Sequence, residues 1–229
     1  MSEKKNVQQE QTGEEVIAKA KDFWAKYSKI ILIAGTALIL LVGGFFAYKN
    51  FIQQPNEVKA GEAMFKAEDY YRKDSVNLAL NGDGQYQGFL KIISKYSGTD
   101  AANLASFYAG SCYIKLDDNA NAVKYLKKFS TDAKQIQQRA YKLLGDASAD
   151  LGKNTDALDY YKKAAHHFEK DETNSAEALF TAAYFADRVL KNKEEAIELF
   201  KELKEKYPKT QQGFEADNYL AQLGVYKVN

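Results

Sequence analysis

The feature that most constrains this chain is that it repeats itself. Setting residues 104–129 above 139–164 brings Gly110 onto Gly145 and Ala122 onto Ala157, both at a spacing of 35, and a third copy brings Ala196 onto Ala157 at a spacing of 39. The difference is read as an insertion around residues 170–174. Each copy reads as a helix of about sixteen residues, a polar turn and a second helix, with turns at Asp117-Asp118-Asn119, Gly152-Lys153-Asn154 and Lys191-Asn192-Lys193. A unit of this size cannot bury its apolar face alone, so copies must stack into an array with a continuous core. Only two prolines, Pro55 and Pro208, interrupt the chain, and long β-branched runs are few. Both facts point to an all-α protein.

These positions resemble the tetratricopeptide repeat, a helix-turn-helix unit. Its small residue on the first helix is matched by Gly110 and Gly145, and its alanine on the second by Ala122, Ala157 and Ala196. Its large position four residues later is matched by Leu126, Tyr161 and Phe200, and its closing proline by Pro208. Small residues let two helices cross closely, and large ones fill the space between neighbours. Tyr184 stands where the third copy should carry its small residue. Lys95-Tyr96-Ser97 echoes Lys206-Tyr207-Pro208, which suggests a divergent first repeat with a long first helix and a turn at Asn81-Gly82-Asp83-Gly84. Residues 210–223 read as a closing helix ended by Gly224. The expectation is an α-solenoid of about four repeats with a C-terminal cap.

Ahead of the repeats, residues 30–48, IILIAGTALILLVGGFFAY, run for nineteen residues without a charge between Lys29 and Lys49. As a helix this stretch is about 29 Å long, close to the hydrocarbon thickness of a bilayer of about 30 Å. The chain therefore divides into a cytoplasmic tail (1–28), a transmembrane signal anchor (29–51) and a repeat domain (52–229). Residues 1–11 are polar and read as irregular. Thr12-Gly13-Glu14-Glu15 fits a capping box that opens a short amphipathic helix. On that helix Trp24 and Tyr27 lie where interfacial anchors sit. Lys19, Lys21, Lys26 and Lys29 precede the run closely, a bias toward a cytoplasmic N-terminus, and no A-x-A cleavage site follows. Gly43 and Ala47 are four apart, and with Gly35 they form a candidate transmembrane contact face. Gln53-Gln54-Pro55-Asn56 is expected to break the helix at the membrane surface.

Composition excludes several function classes. A formal net charge of +1 favours neither nucleic acid nor an acidic substrate. One cysteine, Cys112, rules out an intrachain disulfide or a cysteine zinc cluster. Asp117, Asn119 and Asn121 begin like an EF-hand loop, but Ala122 replaces the glycine and Lys128 the bidentate glutamate. The two histidines, His166 and His167, are adjacent on a helix and point about 100° apart, so they cannot chelate one metal together. With no phosphate loop or nucleophile motif, an enzyme with a cofactor or small-molecule substrate is not expected.

What remains is surface. In the family the first helices line a groove that receives partner segments. Carrying those positions over gives Leu104, Phe107, Ser111 and Ile114 in one copy, Arg139, Lys142, Asp146 and Ala149 in the next, and Thr181, Phe185 and Arg188 in the last. The whole architecture resembles the ancillary subunit of the bacterial SecYEG translocon, the YfgM-like family. The segments Tyr86-Gln87-Gly88-Phe89-Leu90, Ala101-Ala102-Asn103-Leu104-Ala105 and Tyr108-Ala109-Gly110 carry the resemblance. It implies a single-pass inner-membrane protein with periplasmic repeats, beside a membrane-anchored prolyl-isomerase-like (PpiD-like) chaperone. The residues themselves leave two alternatives open, a repeat scaffold for envelope growth or division and a cytosol-facing membrane adaptor.

Overall fold

The apolar run and the amphipathic stretch before it join into one helix. The computed structural model describes the backbone of residues 2–225 and the side chains of residues 15–225. The chain divides into two compact units, Met1–Pro55 and Asn56–Asn229.

In the first unit, α1 covers Ser2–Tyr48. The backbone is thus helical through residues expected to be irregular, and no helix starts at Thr12. Met1 and the side chains of the expected cap at Thr12, Gly13 and Glu14 lie outside the described residues. Among helices of the described residues, this one is long and apolar enough to cross a membrane, with an 18-residue window of mean hydropathy 2.6 and none of that window buried. Anchors and signal sequences share that property. Thr36 satisfies its hydroxyl within the run by donating to the Leu32 carbonyl at 2.8 Å. Trp24 and Tyr27 are exposed, and Tyr27 lies 4.9 Å from the Phe23 ring. With 3.6 residues per turn, Gly43 and Ala47 lie about 40° apart, whereas Gly35 is turned about 80° from Gly43. The shared small-residue face is therefore that of Gly43 and Ala47, with Gly35 to one side.

The expected break at residues 53–56 does not occur. A π-helical turn, Lys49–Gln53, is followed directly by α2, Gln54–Arg72, and the Gln54 amide donates to the Lys49 carbonyl five residues back. Pro55 lacks an amide hydrogen, and its ring crowds the carbonyl four residues earlier. It is tolerated because it falls in the first turn of α2, just after the ladder has widened.

The second unit is built from paired helices. After α2 come α3 (Val76–Asn81), α4 (Phe89–Lys95), α5 (Asp100–Lys115), α6 (Asn119–Leu126), α7 (Lys134–Asp150), α8 (Asn154–His167), α9 (Glu172–Arg188), α10 (Lys193–Lys206) and α11 (Gln211–Gln222). Four turns share one construction, each passing through a left-handed residue: Asp74, Asp117, Gly152 and Lys191, with φ of 57°, 60°, 69° and 56°. In the first three, the next amide (Ser75, Asp118, Lys153) donates five residues back, to Tyr70, Tyr113 and Ser148, at 2.9 Å each. Five residues beyond each left-handed position stands an alanine of zero exposure: Ala79, Ala122, Ala157 and Ala196. Seven before it stand Ala67, Gly110 and Gly145.

This register corrects three expectations. The first repeat turns at Asp74, not at residues 81–84, where the end of α3 at Asn81 passes into a loop of residues 82–88 that splits the second helix into α3 and α4. The third copy needs no tolerance for Tyr184, because its turn is one residue longer: Asn192 donates six residues back, to Ala186. That shift brings fully buried Ala183 to the small position and leaves Tyr184 43% exposed. Residues 172–174 begin α9 and are no insertion; the four extra residues in the spacing of 39 arise because α8 runs for 14 residues where α6 stops after 8, while the link that follows is three residues shorter and the turn after α9 one residue longer.

The small positions act as expected. A Cβ on Gly110 would stand 2.5 Å from Leu126 Cγ, and one on Gly145 2.5 Å from the Tyr161 ring, so each crossing is set by a glycine under a large side chain. Successive pairs bury clusters around Phe89 and Ile92, around Leu126 and Leu144, and around Leu179 and Phe200. Cys112 is fully enclosed, and burial pushes its thiol up to about 12. The inserted loop is tied by Asp83, whose carboxylate accepts the Gln85 and Tyr86 amides at 3.0 and 2.7 Å and the Tyr70 hydroxyl at 2.6 Å. The Tyr70 bond holds the Asp83 carboxyl below its ordinary range, and the phenol is pushed up to about 12.

Glu57 supplies a cap from outside its own helix. Its two carboxylate oxygens accept the Asp100 and Ala101 amides at 2.8 Å each, while Thr99 accepts the Ala102 amide at 3.1 Å. Three of the free donors at the start of α5 are thereby satisfied, two of them by a charge favoured at a helix N-terminus. Glu57→Ala is expected to lower the stability of the repeat unit by about 1–2 kcal/mol, read as an earlier urea midpoint with unchanged slope. An unchanged midpoint would mean that water replaces the carboxylate at no cost.

Candidate functional site

First helices in this array touch neighbours on two sides, so only a narrow strip of each faces outward. On α5 that strip carries little of the expected groove. Phe107 is 8% exposed and packs 5.2 Å from the Phe129 ring, and Ser111, 7% exposed, donates to the Phe107 carbonyl at 3.0 Å. Leu104 and Ile114 pack against the same core cluster. Leu104, Phe107 and Ile114 thus hold α5 to its neighbours, while Ser111 bonds within α5.

Between α7 and α9 the surface opens into a hollow of about 490 Å³. Its lining includes Gln138, Arg139, Lys142, Asn174, Glu177 and Ala178. Arg139 is exposed at the rim. Lys142 reaches across to Glu177 at 3.4 Å and along its own helix to Asp146 at 3.7 Å, so it ties the two walls together. Asp146 also accepts the Tyr161 hydroxyl at 3.0 Å; burial, with the Asp146 charge behind it, raises that phenol above its ordinary range. At the floor, buried Gln138 donates to the Ala164 carbonyl at 3.0 Å and to the Ser175 hydroxyl at 2.9 Å, and its own carbonyl oxygen has no hydrogen-bond partner among the described residues.

The remaining candidates lie away from this hollow. Ala149 packs against the core cluster of α8 to α11. Thr181 donates to the Glu177 carbonyl at 2.8 Å, and Phe185 lies edge-on to Tyr161 at 5.6 Å. Arg188 pairs with Asp187 and donates to Gln222 Oε1 at 3.2 Å, which joins the end of α9 to α11. The structure thus brings Arg139 and Lys142 to one hollow and distributes the others over packing contacts. Gln138, Asn174 and Glu177 were not singled out from sequence. The signal that finds them is helical spacing: Gln138 and Lys142 are four apart on α7, and Asn174 and Glu177 three apart on α9.

The EF-hand-like start is used as a turn. Asp118 caps α6 by accepting the Asn121 amide at 3.1 Å, and Asn119 donates to Asp117 and Asp150 at 3.4 and 3.3 Å. The hollow offers charge and hydrogen bonding to a chain laid in it, with no paired base and nucleophile among its lining residues.

A family model for the tetratricopeptide repeat matches residues 104–133 and 177–210. These matches cover most of α5 with α6, and most of α9 with α10. The pair between them, α7 and α8, has the same turn, the same glycine crossing and the same buried alanine. The chain is an all-α protein in which a long apolar helix is followed by stacked helix pairs consistent with tetratricopeptide repeats. No curated protein matches the chain.

Proposed function

We propose that this chain is a non-catalytic, membrane-anchored interaction scaffold, an accessory subunit of the bacterial Sec translocation channel that couples it to a periplasmic chaperone. The observation that carries the scaffold reading is a long apolar helix with no part of its apolar window buried, in one chain with repeats whose outward strip carries hydrogen-bonding and charged groups. Support for the Sec assignment is the resemblance of residues 86–110 and of the order of tail, apolar run and repeats. Anchored at one bilayer, weak contacts gain from a high effective concentration, so the hollow need not bind tightly by itself. Crosslinked membranes solubilised in detergent and purified through this protein are expected to yield channel and chaperone subunits; recovery of cell-wall synthesis components instead would favour the envelope-growth reading, and recovery of neither sinks both.

Orientation is tested with an impermeant thiol reagent on intact cells. Cys112 is enclosed and unsuited to that purpose, so an exposed position such as Ser97→Cys is the reporter. Labelling places the repeats outside the cytoplasm, and protection places them inside. Within the apolar run, replacing Gly43 and Ala47 together by Leu is expected to leave insertion intact and to reduce recovery of a partner held inside the bilayer, since two leucine side chains would keep the helix backbones from approaching closely. Unchanged recovery would make the helix a plain tether.

A further inference from the structure

The two histidines, dismissed as a chelating pair, do not act as a pair in the fold. His167 turns to the Tyr141 ring, which it meets edge-on at 5.3 Å. His166 faces α10, where its Nε2 stands 2.8 Å from Glu202 Oε1. Glu169 comes in three residues later, and His166, Glu169 and Glu202 bring one ligating atom each to within 4.8 Å of one another. Lys206 sits among them, its Nζ 2.7 Å from Glu169 Oε1 and 3.0 Å from Glu202 Oε1.

We propose that this cluster is a zinc site, with His166, Glu169 and Glu202 as protein ligands and water as the fourth, and that the Lys206 ammonium holds the place the metal ion takes. One imidazole nitrogen and two carboxylate oxygens form a set that zinc accepts at about 2.0–2.2 Å in four-coordinate geometry. Calcium and magnesium call for about six or more oxygens, which the cluster lacks. Charge points the same way: one ammonium balances half of the charge of two carboxylates, and a divalent cation balances all of it. The site also lies where α8 ends at His167 and α10 at Lys206, and the partial negative charge of two helix C-termini favours a cation. Lys206 is 40% exposed on a long flexible stem, so the metal can displace it into water. Zinc bound here would tie α8 to α10 more firmly than the ammonium does.

The test is calorimetric titration of zinc chloride into the tag-free, chelator-stripped full chain in detergent, with magnesium chloride in parallel. One equivalent of zinc is expected to bind, about tenfold or more weakly in His166→Ala and in Glu202→Gln, with His167→Ala unchanged. Lys206→Met is expected to bind more tightly than the unaltered chain, and zinc to raise the melting temperature of both. Far-UV circular dichroism before zinc addition identifies any variant that has lost its fold, and Glu169→Gln then stands in for it. Absence of saturable zinc binding in both the unaltered chain and Lys206→Met overturns the site, as does equal affinity in a folded His166→Ala. Zinc binding no tighter in Lys206→Met overturns the role given to the lysine.

Discussion

Phe200→Ala is expected to destabilise the repeat unit by about 3–5 kcal/mol, the range for truncating a buried aromatic ring. Phe200 has zero exposure, stacks on Tyr219 at a centroid distance of 5.0 Å and meets Phe180 edge-on at 5.8 Å. It stands four residues after Ala196, where the fourth pair interlocks with the closing helix α11. The cavity cannot collapse easily, because its walls come from α9, α10 and α11 and each is pinned elsewhere: Arg188 to Gln222, Lys204 to Asp217. For a unit of this size the loss corresponds to a fall in melting temperature of about 6–20 °C, measurable by circular dichroism. Phe200→Leu, which keeps most of the volume, should fall by less than half as much. Equal effects from the two would locate the loss in the aromatic contacts, not in the cavity.

Gly82→Ala is expected to cost about 2–5 kcal/mol, through two additive causes. The residue sits at φ 82° and ψ −179°, a backbone region that essentially only glycine occupies, where a side chain is strained by about 1–3 kcal/mol. Its Cβ would also stand 2.1 Å from the Tyr86 carbonyl oxygen and 2.9 Å from the Gly88 amide, both backbone atoms that cannot rotate away. The loop must open, and with it the bridge from Gly82 to Gln87 and the seating of Asp83 under Tyr70. Chemical denaturation of the full chain measures the loss, and Gly84→Ala supplies the contrast: it too lies at positive φ, but nothing stands within 4 Å of its Cβ, so it should show only the conformational part. Equal losses in the two variants would mean that the loop yields freely and that the close approach carries no energy.

Much of the array is legible in the sequence because close crossings tolerate few residue types. Gly110, Gly145, Ala122, Ala157 and Ala196 mark places where no larger residue fits, and their spacing gives the pairs directly. The first repeat is harder to see because the seven residues 82–88 interrupt its second helix and stretch the distance from Ala79 to Ala122 to 43. What betrays it is the turn: Asp74-Ser75 followed by Ala79-Leu80 matches Asp117-Asp118 followed by Ala122-Val123. Tyr184 misleads for a related reason, since one added turn residue moves the small position to Ala183 without leaving a local trace. The groove is the least legible part. Phe107 and Lys142 occupy matching positions on successive first helices, and only the packing of neighbours decides that one is buried and the other lines the hollow. Likewise Lys142 to Glu177 and His166 to Glu202 join residues 35 and 36 apart in sequence, and no short-range pattern predicts such pairs.

The brevity of α6 carries a consequence for how the array yields. In a stack where each element touches only its neighbours, stability is a sum of internal and junction terms, and the array parts at its weakest junction. With 8 residues against 14 in α8 and in α10, α6 offers less surface than either of those second helices, and residues 127–133 join it to α7 without forming a helix. Asn103 partly compensates, clasping the Ser130 backbone through both its amide nitrogen and its carbonyl oxygen at 2.7 and 3.1 Å. The repeat unit therefore has a seam near its middle. The part of the repeat unit that precedes the seam in sequence can keep its packing while the part that follows, with its hollow and its closing helix, opens and closes as a cooperative block of its own.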